Sequence, residues 1–197
     1  MAIRNSKADI CLICDDDEIL DDDYSDIIVS AFKDNPHADI IAFKILNTGK
    51  SYPATPKRIN YIRALQLASW QLTFRRKSIV DNNIWFDETL GSGVSKAGGE
   101  ENKFLYDCLK KGLKIIYLPL SIGKMIDGES QWFHGYTEEY FFDRGVMTRR
   151  LMGPFFATLY ALYYLIRKYH LYNKDISISL SMQKIFQGIF NKHNNKI

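Results

Sequence analysis

Residues 10–18 read Ile-Cys-Leu-Ile-Cys-Asp-Asp-Asp-Glu, an apolar run that stops abruptly in four acids. Asp9 to Cys14 has the length and character of a strand, and Ile10 to Cys14 reads as its buried part. In an open α/β sheet such a strand delivers whatever follows it to the carboxyl edge, where ligands bind. Here it delivers Asp15, Asp16 and Asp17. Adjacent carboxylates repel one another, so a divalent cation is a natural way to keep them ionised. Oxygen donors suit Mg²⁺ or Mn²⁺, which would also bridge a diphosphate. The other reading of the same string is a solvated acidic turn that caps the next helix.

Working outward, Asp21 to Asp23 opens a helix over roughly Tyr24 to Asn35, closed by Pro36. Ala38 to Leu46 is a second strand. Residues 47–58 hold Gly49, Pro53 and Pro56 and read as a loop with room for a short strand. Tyr61 to Ala68 is a short helix and Trp70 to Arg75 a strand. Asn82 to Gly99 is loop-rich. Glu100 to Lys111 is a helix, with Phe104, Leu105, Cys108 and Leu109 at helical spacing and Gly112 as its stop. Leu113 to Leu118 is a strand ended by Pro119, followed by a polar loop to about Gly135. Glu138 to Arg150, Phe155 to Tyr169 and Ile178 to Phe190 are helices. This order predicts an α/β layered sheet with helices appended at its C-terminal end.

At 197 residues the chain has the length of about one domain, and 46% hydrophobic content supplies a core. A net charge of +3 is too small to indicate a nucleic-acid partner. Cys11 and Cys14 form a C-x-x-C string, but residues three apart on a strand face opposite ways. No second pair or histidine cluster completes a zinc site, so the cysteines read as structural, in a reducing compartment. The polar start carries no secretory signal. Leu151 to Ile166, interrupted by Gly153 and Pro154, falls short of the roughly 20 residues that span a bilayer. Its tyrosines, with Arg167 and Lys168, suit a membrane interface; a buried helix is the alternative.

A second acidic constellation is Gly98-Gly99-Glu100-Glu101-Asn102. Acids at a helix start complement the dipole. One of them could instead face a cleft and take a proton from a substrate hydroxyl as a general base.

Together these strings resemble the motifs of family 2 glycosyltransferases of GT-A type. An apolar strand ending in Asp-x-Asp is similar to the family's aspartate motif. GGEENKFLYDCLKKG, at residues 98–112, is similar to its Glu-Asp motif and following helix. Between them, Thr73-Phe74-Arg75-Arg76 and Trp85-Phe86-Asp87-Glu88 resemble its central strand and Phe-Asp element. The resemblance covers roughly residues 2 to 150.

It implies transfer of a sugar from a nucleoside diphosphate sugar to a hydroxyl of a glycan or lipid-linked acceptor, with inversion. Asp15 and Asp17 would hold Mg or Mn and, with Asp16, the donor diphosphate. Glu101 and Glu100 would be the catalytic acids. Arg4 and Asn5 resemble the family's Arg-Asn pair near the nucleotide. Gly99, Trp70 and Trp132 would serve the acceptor, the tryptophans by stacking on a sugar; both also read as core residues. Arg144, Arg149 and Arg150 form either a phosphate contact or a solvated basic face.

The sequence departs from the family in three ways. The acid pair is Glu-Glu, no histidine follows the late strand, although His134 is nearby, and only eight residues precede Asp9. The resemblance therefore implies a partial GT-A domain over 1–150, lacking much of the N-terminal nucleotide-binding half, and a C-terminal helical segment over 151–197. The expected setting is cytoplasmic, at the inner membrane face, in bacterial surface polysaccharide synthesis. Exposed strand edges invite a homo-oligomer. The alternative function is a non-catalytic remnant that binds or scaffolds.

Overall fold

A computed structural model describes residues 2–88, 90, 98–126 and 135–191. Trp132 and His134 lie outside the described residues. The chain forms two compact units, the first from residues 2–86 and 104–126, the second from 87–103 and 135–191 where described.

The first unit is built on a mixed sheet. Helix α1 (Ala2–Asn5) leads into β1 (Ile10–Leu12) and β2 (Glu18–Leu20). Then follow α2 (Tyr24–Asp34), β3 (Ile40–Leu46), β4 (Lys57–Arg58), α3 (Tyr61–Ala64), a 3-10 turn (Ser69–Gln71) and β5 (Leu72–Arg75). Helices α4 (Arg76–Asp81) and α5 (Glu100–Lys110) precede β6 (Ile115–Met125). The strand order is β1-β5-β3-β6-β2, with β4 also beside β6. Among the described residues, only β3 and β6 pair in parallel; the other pairs are antiparallel.

β3 is buried because the sheet is covered on both faces. Ile41, Phe43 and Ile45 pack with Ile28, Ala31 and Phe32 of α2. Phe74, paired with Ile40, meets Phe104 of α5 at 5.6 Å, and Phe104 stacks on Phe86 at 4.5 Å. Period-two alternation thus feeds two layers of helix. Helix α2 ends where the Asn35 side-chain amide donates to the Ala31 carbonyl at 2.9 Å.

Several expected boundaries move. β1 stops at Leu12 and is only half buried, because it is an outer strand whose neighbour in the sheet is β5. Cys14, read as the buried end of that strand, is exposed. β6 does not end at Leu118 but runs through Pro119. Its register against β3 steps from Ala42↔Tyr117 to Lys44↔Ser121, so the proline sits in a bulge where no ladder donor is needed. β2 and α4 are elements the sequence reading did not contain, and α3 stops at Ala64 rather than Ala68.

The second unit is helical. α6 (Glu138–Arg167) breaks at Gly153, where φ is 74° and ψ 170°, with Pro154 next; the two halves match the two helices read from the sequence. The Thr137 hydroxyl accepts from the Tyr140 amide at 3.2 Å and fixes its start. α7 (Tyr169–Tyr172) and α8 (Ile178–Ile189) follow. Their core joins Phe141, Ala157, Ala161, Leu165, Tyr172 and Ile185. The Tyr172 hydroxyl donates to the Leu165 carbonyl at 2.7 Å. Among the described residues, no helix is long and apolar enough to cross a membrane.

Candidate functional site

β1, β3 and β6 run the same way, because β1 and β3 each pair antiparallel to β5 and β3 pairs parallel to β6. Their carboxyl ends therefore share one edge of the sheet with the start of β5. Residues 13–17 leave β1 at one side of the sheet and enter β2 at the other. Asp15, Asp16 and Asp17 are exposed along this crossing. Both ends are tied: the Ile13 amide donates to the Leu72 carbonyl at 3.0 Å, and the Ile126 amide to the Asp17 carbonyl at 2.8 Å.

Two further contacts shape the loop. The Ser69 hydroxyl donates to Asp15 Oδ2 at 3.2 Å. The Asp15 amide donates to Glu18 Oε2 at 3.0 Å, while Glu18 Oε1 is buried with no hydrogen-bond partner. Partial burial, reinforced by the charges of Asp15 and Asp17, raises the Glu18 carboxyl above its ordinary range against the hydrogen bonds that lower it. Local desolvation, the Glu18 hydrogen bond and the surrounding negative charge push the Cys14 thiol up to about 11. The loop therefore concentrates negative charge.

Among the described residues, no three His, Cys, Asp or Glu side chains converge as a ready-made cage for an ion. Magnesium-type ions usually keep several waters and take one or two carboxylates plus substrate phosphates. Two exposed aspartates and an orphaned, buried carboxylate oxygen fit that mode.

Trp70 follows Ser69 at the same edge. It packs against the core under α2 and carries the Lys50 ammonium 4.5 Å above its ring. Lys50 also donates to the Gln66 carbonyl at 3.2 Å. Of the two readings of Trp70, core packing and stacking on an acceptor sugar, the structure shows the core packing. The Ser69–Asp15 and Lys50–Trp70 contacts were not anticipated; no local pattern announces partners 54 and 20 positions apart.

Arg4 and Asn5 are not brought to this edge. They precede β1, and the Arg76 side chain holds the carbonyls of Ile3 and Arg4 at 2.9 and 3.2 Å. Arg76 follows β5, which ends at the opposite edge from the aspartates. Arg4 itself lies 4.2 Å over the Trp85 ring. An apolar groove of about 640 Å³ between α2 and the Pro119 bulge, lined by Ile27, Ala31, Pro56, Leu118 and Pro119, does not include the aspartates either.

Glu100 and Glu101 belong to the second unit. They occupy the first turn of α5 and are partly exposed, after Gly98 and Gly99 at φ 60° and 108°. Gly99 is buried, and a Cβ there would lie 2.5 Å from Met147 Cγ, so this position is packed against α6. Arg144, Arg149 and Arg150 of α6 do not form a solvated basic face. Arg144 donates to the hydroxyls of Tyr140 and Tyr160, both at 3.1 Å, and lies 3.9 Å over the Tyr164 ring. Arg149 donates to the Ile189 carbonyl at 2.9 Å, and Arg150 pairs with Asp87 at 3.6 Å.

No family model and no curated protein matches this sequence. Solved structures do match. S. aureus TarS 1–349 in complex with UDP-GlcNAc aligns over 95% of this chain and 60% of its own, with a TM-score of 0.61 at 16% identity. The fold is shared with TarS. TarS 1–349 in complex with UDP aligns over 96% of this chain and 59% of its own, with a TM-score of 0.56 at 15% identity. A further TarS structure aligns over 97% of this chain and 36% of its own, at 0.59 and 15%. The chain thus spans about 60% or less of the TarS structures it matches. The likeness bears out the layered α/β sheet with C-terminal helices predicted from the sequence.

Proposed function

We propose that this chain is the metal- and acceptor-binding part of a family 2, GT-A glycosyltransferase. It moves a sugar from a nucleoside diphosphate sugar to an acceptor hydroxyl, with inversion, in bacterial surface polysaccharide synthesis. The observation that carries the reading is the acidic loop at the carboxyl edge of a sheet whose fold is shared with a UDP-GlcNAc complex.

Asp15 and Asp17 would hold Mg²⁺ or Mn²⁺, with Ser69 and the Glu18 carboxylate fixing the loop. The ion supplies charge neutralisation on the diphosphate leaving group. Glu101, or its neighbour Glu100, takes the proton of the acceptor hydroxyl. The freed oxygen pair forms the new bond to the anomeric carbon as the bond to the diphosphate oxygen breaks, and that electron pair leaves with the diphosphate. Trp70 stacks on a sugar of the acceptor glycan.

Calorimetric titration of a panel of nucleoside diphosphate sugars, with and without Mn²⁺, tests this. The expected result is Mn²⁺-dependent binding of one donor, lost in Asp17→Ala. Binding that ignores both Mn²⁺ and Asp17→Ala overturns the reading. Absence of binding to every donor favours a non-catalytic binding module instead.

A further inference from the structure

We propose that the second half of α6 is a docking surface for an anionic lipid bilayer, lying on the membrane rather than through it. This goes beyond the transferase reading and rests on the second unit alone.

From Pro154 to Ile166 the helix has thirteen residues without a charge. One side is already used: Ala157, Ala161 and Leu165 are buried against Tyr172, Ile185 and Ile189. The other side repeats the apolar pattern toward solvent. Phe155 is 69% exposed, Phe156 62%, Tyr163 61% and Ile166 75%, with exposed Leu159 and Leu162 among them. Positions 155, 159, 162 and 166 recur at three and four residues, so they form one continuous stripe. An apolar stripe of this extent on a surface marks a contact.

The flanking charge says what kind of contact. Between Asp143 and Asp175 there are six lysines or arginines and no acid. Arg144, Arg149 and Arg150 are committed within the unit, as described above. Arg167, Lys168 and Lys174 are exposed just beyond the stripe. Tyrosine and long cationic side chains at the rim of an apolar face suit the headgroup level of an anionic membrane. A second copy of the chain would set these cations against their like. The segment from Pro154 to Arg167 is about 21 Å long at about 1.5 Å per residue, short of a bilayer core of about 30 Å.

The test is co-sedimentation of the 197-residue chain with vesicles of phosphatidylcholine alone or mixed with phosphatidylglycerol. The chain should pellet with the mixed vesicles and remain largely in solution with the neutral ones. The double substitution F156S/I166S should weaken binding roughly tenfold or more. R167E/K168E should abolish the preference for the anionic lipid. Both pairs are exposed, so circular dichroism and melting should match the parent. No binding to mixed vesicles, or binding unmoved by either pair, overturns the proposal. A dimer by light scattering that F156S/I166S converts to monomer also overturns it, since a second copy then covers the stripe. No donor sugar enters the assay, so its outcome is independent of the transferase reading.

Discussion

Gly123 on β6 lies against the backbone of Ile19 on β2: a Cβ at position 123 would fall 2.5 Å from the Ile19 carbonyl oxygen. The pairing Leu20↔Gly123 and Glu18↔Met125 depends on that closeness, and the next amide, Ile126, holds Asp17. Gly123→Ala should cost about 1–3 kcal/mol by forcing the strands apart. It should also weaken Mn²⁺ binding. Thermal melts and metal titration of the same variant check both.

The Ser69–Asp15 bond predicts a different balance. It is exposed, so Ser69→Ala should change stability by less than about 1 kcal/mol. Its loss removes one restraint on the Asp15 carboxylate, the metal ligand proposed above, and outer-shell partners of metal ligands commonly matter by a factor of ten or more. Mn²⁺ affinity, read by calorimetry, should fall roughly tenfold while the melting temperature barely moves.

Where α6 crosses α8, Gly145 and Gly188 let the backbones touch. A Cβ on Gly145 would lie 2.1 Å from the Ile185 carbonyl oxygen, and one on Gly188 2.0 Å from that of Phe142. Neither obstacle is the end of a flexible side chain. Gly145→Ala or Gly188→Ala should each cost roughly 2 kcal/mol or more. Urea denaturation followed by far-ultraviolet circular dichroism measures the loss.

Cys108 is fully buried on α5, and desolvation, with smaller contributions from Asp107 and Asp39, drives its thiol far above the usual range. A raised thiol pKa means less thiolate at any given pH, and thiolate is the reactive form. Iodoacetamide at pH 9 should therefore leave Cys108 unmodified in the native chain and label it once urea is added. Peptide mass mapping gives the answer.

The parts legible in the sequence were those written in local periodicity. β3, α2, α5, α6 and α8 follow from strings of apolar residues at spacings of two or of three and four, whereas α7 was not read. The acidic run that follows β1 was equally plain, although the strand itself ends at Leu12 rather than Cys14. β2 was not, because three residues form a strand only when β6 offers them an edge. Pro119 misled for the same reason: a proline ends a strand unless a bulge removes the need for its missing donor, and the bulge is a property of the β3–β6 register. Arg4 looked free to meet a nucleotide until Trp85, 81 positions away, came to lie beneath it. Arg144 looked like a surface charge because nothing local reveals that three tyrosine side chains on its own long helix close around it.

The acidic loop spans from β1 to β2 across three intervening strands. Its two ends are pinned to the sheet, Ile13 to the Leu72 carbonyl and Asp17 to the Ile126 amide. Fraying at either margin of the sheet is thereby transmitted to the carboxylates, and by reciprocity an occupant of the loop draws both margins home. Ligand binding and the integrity of the outermost strands are one equilibrium, and amide exchange at Ile13 and Ile126 is where it would be read.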